Sequence, residues 1–241
     1  MARRSKFQPP ANAERAYIQT LRRIARLSAG IIEPHMDGHV LTAVAAMSEQ
    51  LARYSDILDS MAKRVALKML LQVNKTNERA FGETSKTIKR ELRETMASSA
   101  VGVKVQQLQR EQVALIKSIP IEAGERAQSL ALSAITGGRR PSDVAEELMR
   151  TEEVTLSRAT LIARTEISNV TSVLTEARAT SIGSDSYTWR TAQDSDVRES
   201  HADMEEEVVQ WSTPPTLDGM TGHAGQFPNC RCYAEPIFTE R

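Results

Sequence analysis

The sequence predicts an α+β protein, with a predominantly α-helical N-terminal and middle region of long helices followed by a small C-terminal α/β unit with a short antiparallel sheet. Three observations carry this reading. Four of the ten aromatic residues lie before Gly82 and six from Tyr187 onward, with none between. Four of the nine prolines, Pro214, Pro215, Pro228 and Pro236, crowd the C-terminal end. In the Pro-poor stretch between, apolar residues recur in steps of three and four, the period of one helix face. Composition therefore changes near Gly183, from aliphatic helix to aromatic strand and loop.

Residues 1–38 form a basic leader, expected to be extended. Up to residue 26 it carries Arg3, Arg4, Lys6, Arg15, Arg22, Arg23 and Arg26 against the single acid Glu14, and these seven are the candidate DNA contacts. Residues 39–110 are a long-helix region. From His39 to Val73, Val44, Met47, Leu51, Tyr54, Leu58, Met61 and Val65 keep a 3.5-residue repeat that predicts one long helix with an apolar face. An intramolecular bundle is the default use of that face, and self-association through residues 44–65 is the alternative.

Residues 111–241 form the third region, helical to about 183. Gly102 weakens the preceding helix, and Pro120 is expected to end it. Gly137 and Gly138 mark a stop, and Pro141 with Ser142 the next start. Residues 155–183 then predict a helix of about 25 residues, with Leu156, Ala159, Ala163, Ile167, Val170, Leu174 and Ala177 on one stripe and Gly183 as its cap. "SYTWRTA", "EEVVQW" and "CRCYAEPIF" are the strands, and the face of Cys230, Cys232 and Ala234 belongs against that helix.

With 241 residues and 40% hydrophobic content the chain can bury a core. No apolar run of about 18 residues is present, and the N-terminus lacks a secretory pattern, so a cytosolic protein without membrane contact is expected. Its two cysteines are then thiols. Cys230 and Cys232 are two apart on a strand, a Cα separation of about 6.6 Å that disfavours a disulfide. No cofactor is favoured: the thiols read as small packed hydrophobes, with a structural zinc on His201, His223, Cys230 and Cys232 as the alternative.

The acidic stretch from Asp194 to Glu207 holds seven acids against Arg198. It reads as a turn capped by Asp194, with Arg198 paired to a carboxylate and His201 turned inward to a backbone carbonyl. Arg164 is expected to pair with an acid of this stretch, and Glu166 with Arg190 or Arg198. No GxSxG, HExxH, P-loop or GxGxxG motif is present, so no catalytic residue is assigned and the chain reads as a non-enzyme.

Four ordered motifs, "LIKSIP", "LIARTEISNV", "YTWRTAQDSDVRESH" and "PNCRCYAEPIF", together resemble the phage head morphogenesis family, the Mu F-like minor head proteins, over about residues 110–238. On this resemblance Arg164, Thr165, Glu166, Trp189, Asp194, Arg198, His201, Cys230, Arg231 and Cys232 form the structural signature of the C-terminal domain. After the histidine the family commonly has a short L-x-G-type turn, where this chain has the acidic "HADMEEEVVQW". The resemblance implies a minor capsid protein of the virion, assembled in the host cytoplasm, that acts in head assembly near the portal. Its implied partners are the portal protein, the major capsid protein and packaged DNA. Two other classes compete: a metal-dependent hydrolase or nuclease using Asp194, Asp196 and His201, and a DNA-binding protein acting through the basic leader.

Overall fold

A computed structural model describes residues 5–35, 40–83, 99–137 and 141–238 of the chain. Long helices precede a small antiparallel sheet, the α+β class expected. The chain divides into two compact units built from alternating segments rather than three consecutive regions. One comprises residues 1–14, 67–109 and 164–241, the other residues 15–66 and 110–163.

The leader expected to be extended is helical. Helix α1 (Ala11–Ile32) starts just after Pro9 and Pro10, where the N–H of Glu14 reaches the Pro10 carbonyl at 3.1 Å. Ala13, Tyr17, Leu21, Ile24 and Ser28 are buried along one face, while Arg15, Arg23 and Arg26 are exposed and Arg22 half-buried on the other. That period was present in the sequence but overshadowed by charge. Arg3 and Arg4 lie outside the described residues, as do residues 36–39.

The expected single helix over 39–73 is two, α2 (Val40–Ile57) and α3 (Asp59–Gly82), interrupted at Leu58. The break is local. The N–H groups of Leu58 and Ala62 still reach the carbonyls of Tyr54 and Leu58 at 3.0 and 2.7 Å. In the 15–66/110–163 unit, Val44, Met47 and Leu51 pack with Ile32, Ala123 and Ala131 of α4 (Ser99–Gly137). Gly124 of α4 approaches α2 closely: a Cβ there would stand 3.3 Å from Leu51 Cδ1. Val44, Met47, Leu51 and Leu58 of the heptad face are thus buried within the chain, while Tyr54, Met61 and Val65 are half-buried.

Pro120 does not end its helix, and α4 runs through it. Proline removes one helical hydrogen bond and costs roughly 3 kcal/mol. Burial offsets this, with Ile116, Ile119 and Pro120 all buried, and flanking carbonyls gain side-chain donors: Ser118 donates to Leu115 and Ser55 to Lys117, each at 3.0 Å. Helix α5 (Pro141–Met149) opens on its proline and buries Val144 and Leu148 against Ala127 and Ala134 of α4.

Helix α6 (Thr151–Ser181) is longer than expected and closes at the predicted glycine. Gly183 adopts φ 83°, its N–H bonds the Thr180 carbonyl at 3.1 Å, and the N–H of Ser184 reaches back to Ala179 at 2.9 Å. This is the paired-bond termination that a left-handed residue permits. Of the predicted stripe, Ala159, Ala163, Ile167, Val170 and Leu174 are buried, and Leu156 and Ala177 half-buried.

The unit holding the C-terminus contains β1 (Ser186–Thr191), the short helix α7 (Glu199–Ala202), β2 (Val208–Gln210), a two-stranded ribbon of β3 (Thr216–Leu217) and β4 (Met220–Thr221), and β5 (Cys232–Pro236). The sheet order is β2-β1-β5, all antiparallel. Register places Trp189 opposite Ala234 and Thr191 opposite Cys232, so Tyr187, Trp189, Thr191, Cys232 and Ala234 share the inner face. Phe7 and Phe81 belong to the same core, their rings edge to face at 5.2 Å. Trp189 is wholly buried; removing on the order of 200 Å² from water stabilises the unit by about 5 kcal/mol gross.

Candidate functional site

The signature residues converge in the 1–14/67–109/164–241 unit. The loop from Phe227 to Cys230 is a tight turn in which the Cys230 N–H bonds the Phe227 carbonyl at 3.1 Å and Asn229 takes φ 52°. Three side chains hold it. Thr165 on α6 accepts the Asn229 N–H at 2.9 Å, Ser168 donates to the Cys230 carbonyl at 3.3 Å, and Arg198 donates to the Pro228 carbonyl at 2.6 Å. Gly225 lies just before this turn with φ 92°, where a Cβ would meet the carbonyl oxygens of Ser168 at 3.1 Å and Cys232 at 3.3 Å.

Within this frame His201, Cys230 and Cys232 meet. His201 Nδ1 lies 3.5 Å from the sulfur of each cysteine, and the three ligand atoms lie within 4.8 Å of one another. The residues are 1%, 6% and 1% exposed, which separates this cluster from any surface group of acids. Position follows from local structure: α7 carries the imidazole, and β5 with the turn before it carries the thiols. The imidazole is wedged edge to face against Phe227 at 4.8 Å and Trp189 at 5.7 Å. Its other nitrogen, Nε2, is buried without a hydrogen-bond partner and lies 3.8 Å from an Asp218 carboxylate oxygen. The inward turn of His201 is as expected, but its neighbours are sulfurs rather than a carbonyl.

The two thiols differ in electrostatics. The Cys232 thiol, His201 and the backbone N–H groups of Cys232 and Gly225 all point hydrogen-bonding capacity at Cys230, holding its thiol well below the ordinary range against the cost of burial. Cys232 is pushed up, first because it supplies the proton shared with Cys230 and then by burial.

His223 is not part of this group. Its Nδ1 lies 3.2 Å from the Tyr187 hydroxyl, its N–H is held by Gln226 at 2.9 Å, and burial lowers its pKa. Of the four residues named for the alternative zinc site, His201, Cys230 and Cys232 lie together and His223 stands apart. The Asp194/Asp196/His201 hydrolase cluster does not assemble either: Arg231 binds Asp194 and, at 3.0 Å, Asp196, leaving His201 in the core. Asp194 also accepts the Asp196 N–H at 3.2 Å, the expected cap.

The pairing expected for Arg164 is replaced. Arg164 faces Glu14 at 3.8 Å rather than an acid of the 194–207 stretch. Arg190 bonds Glu235 at 2.9 Å and Glu206 at 3.0 Å, and Arg198 lies 4.0 Å from Asp218. A polar cavity of about 440 Å³ beside the turn is lined by Gln8, Glu14, Arg164, Asp194, Asn229 and Arg231, among others.

Arg178 is the principal residue missed from sequence. It is fully buried on α6 and donates to Asn77 and Asn74 of α3 at 2.6 Å each, with Asn77 also donating to Thr175 at 2.7 Å. Burial lowers its pKa to about 10, opposed by Glu78. The only signal was matched i, i+3 spacing, Asn74/Asn77 and Thr175/Arg178, which pairs nothing until the helices are adjacent.

The class defined by this geometry is an α+β protein whose small sheet is tied to a long helix through Thr165 and Ser168 and to a short helix through a buried His-Cys-Cys cluster. Comparison then gives the family. Residues 125–235 match the family described as Phage Mu protein F like protein, the resemblance that the ordered motifs carry. An uncharacterized protein of Haemophilus influenzae is 33% identical over 134 residues, covering 56% of this chain and 29% of that relative. The chain therefore aligns with less than a third of that protein's length. No solved structure matches the chain. No helix among the described residues is long and apolar enough to cross a membrane.

Proposed function

We propose that this chain is a minor structural protein of a tailed-phage head, acting in head assembly beside the portal. The observation that carries the reading is the Mu F-like match over residues 125–235, whose signature residues Thr165, Trp189, Arg198, His201, Cys230, Arg231 and Cys232 are engaged with one another or with the same small sheet. Their work is packing, pairing and turn fixation, which is what an assembly module requires. Asp194 and Asp196 are neutralised by Arg231, an arrangement that suits shape rather than turnover. The protein is then a component of the virion, and its partners are other head proteins.

The test is mass spectrometry of purified proheads and mature particles from a phage or prophage encoding the chain. The polypeptide is expected in at least one of them, and absence from both overturns the reading.

A second reading has its own observation. Arg15, Arg22 and Arg26 recur at i, i+7 and i+11 on α1, with Arg23 alongside, making a basic face opposite the buried one. DNA binding through that face expects the Arg15→Glu, Arg22→Glu, Arg26→Glu triple variant to bind duplex DNA more weakly and to lower the salt slope by about 0.9 for each phosphate no longer neutralised. Unchanged affinity and slope reject it.

A further inference from the structure

We propose that His201 Nδ1 and the sulfurs of Cys230 and Cys232 bind one zinc ion, which pins α7 to the β5 edge of the sheet. Zinc takes sulfur at about 2.3 Å and imidazole nitrogen at about 2.0–2.1 Å, so a tetrahedral ion spaces the two about 3.6 Å apart. Both observed nitrogen-to-sulfur distances are 3.5 Å. Hydrogen bonding alone does not account for the symmetry. In either tautomer Nδ1 carries one lone pair or one N–H and makes one linear hydrogen bond, whereas two sulfurs stand equally close. A cation at the centre uses all three donor atoms at once.

The surroundings fit a ligand set rather than packed thiols. The Cys232 N–H points at the Cys230 sulfur at 3.4 Å, the kind of donor that stabilises a metal-bound thiolate. The far nitrogen of His201 is buried without a hydrogen-bond partner and stands 3.8 Å from an Asp218 carboxylate oxygen, the type of group that orients metal-bound histidines when it closes to hydrogen-bond distance. Two thiolates and an imidazole are the donor chemistry of zinc. No fourth His, Cys, Asp or Glu joins the group among the described residues, so water completes the tetrahedron. On binding, each thiol releases its proton to solvent, Nδ1 donates its lone pair, and Nε2 keeps its proton toward Asp218. The inference does not depend on the assembly reading.

The experiment uses the untagged full-length chain, purified without chelator, loaded with equimolar zinc, dialysed and measured by plasma mass spectrometry. One zinc per chain is expected. The Cys230→Ser, Cys232→Ser double variant and His201→Ala should lose it, His223→Ala should keep it, and Asp218→Asn should weaken affinity by about 10–100-fold. Because the double variant could fail to fold, cobalt(II) loading of the unmodified chain gives a second readout, with a sulfur-to-cobalt charge-transfer band expected. No retained zinc, or retained cobalt without that band, overturns the proposal. So does undiminished zinc in a folded double variant.

Discussion

The hydroxyl of Thr165 on α6 accepts the backbone N–H of Asn229 at 2.9 Å, joining the middle of the long helix to the turn that carries the cysteines. Asn229 sits at φ 52°, a conformation that needs support in any residue but glycine. Thr165→Val keeps shape and removes the acceptor. It is expected to cost about 1 kcal/mol in chemical denaturation, with Thr165→Ser close to neutral. A neutral Thr165→Val beside a costly Thr165→Ser would show that the methyl group matters and the hydroxyl does not.

Gly225 is a harsher position. An added Cβ meets two carbonyl oxygens at 3.1 and 3.3 Å, and backbone cannot yield as a flexible side-chain tip can. Adding the strain of φ 92°, Gly225→Ala should destabilise the chain by about 2–3 kcal/mol. Gly219→Ala at φ 76°, with nothing within 4 Å, carries the strain without the collision and should cost less. A melting comparison of the two separates conformation from crowding.

Arg178 is buried on donors' terms: two asparagine oxygens receive its guanidinium, and Nε has no hydrogen-bond partner. Arg178→Ala removes the fork, orphans Asn74 and Asn77, and leaves a cavity, for an expected loss of about 3–5 kcal/mol. Arg178→Lys offers one ammonium where two bonds diverge and should recover only part. Full recovery by lysine would mean that charge alone suffices.

Acid should weaken the protein through His223. Burial lowers its folded pKa below the ordinary 6.5, so the unfolded chain binds the extra proton first as pH falls. Its contribution is fully present above about pH 6.5 and is lost on descending toward the folded value, with stability falling by up to about 1.4 kcal/mol per pH unit in that window. Stability of His223→Gln should depend less steeply on pH between 6.5 and 5 than that of the unmodified chain. Parallel slopes would place the acid sensitivity elsewhere.

Much of this architecture was readable where local chemistry and tertiary outcome agree. Gly183 caps α6 because a left-handed residue is required there, and β1 alternates because one face is buried. Where the two disagree, packing prevailed: Pro120 stays inside α4, and residues 11–32 coil despite their charge. The site was half legible. Cys230, Cys232 and His201 were marked by type, but His223 seemed an equal candidate because linear spacing cannot show that Tyr187 occupies it. Asp218 was invisible for the same reason, standing in the turn between two-residue strands with no motif of its own.

The alternation of chain segments between the two units also sets an order of events on the ribosome. Phe7 and Phe81 emerge early, yet their aromatic neighbours Tyr187, Trp189 and Phe227 are synthesised last. The N-terminal pieces must wait with apolar side chains uncovered, and closing so wide a loop is slow. Excising residues 125–235 as a fragment would cut through the same arrangement and leave that core without Phe7, Ala80 and Phe81, so a soluble piece should be sought in the whole polypeptide.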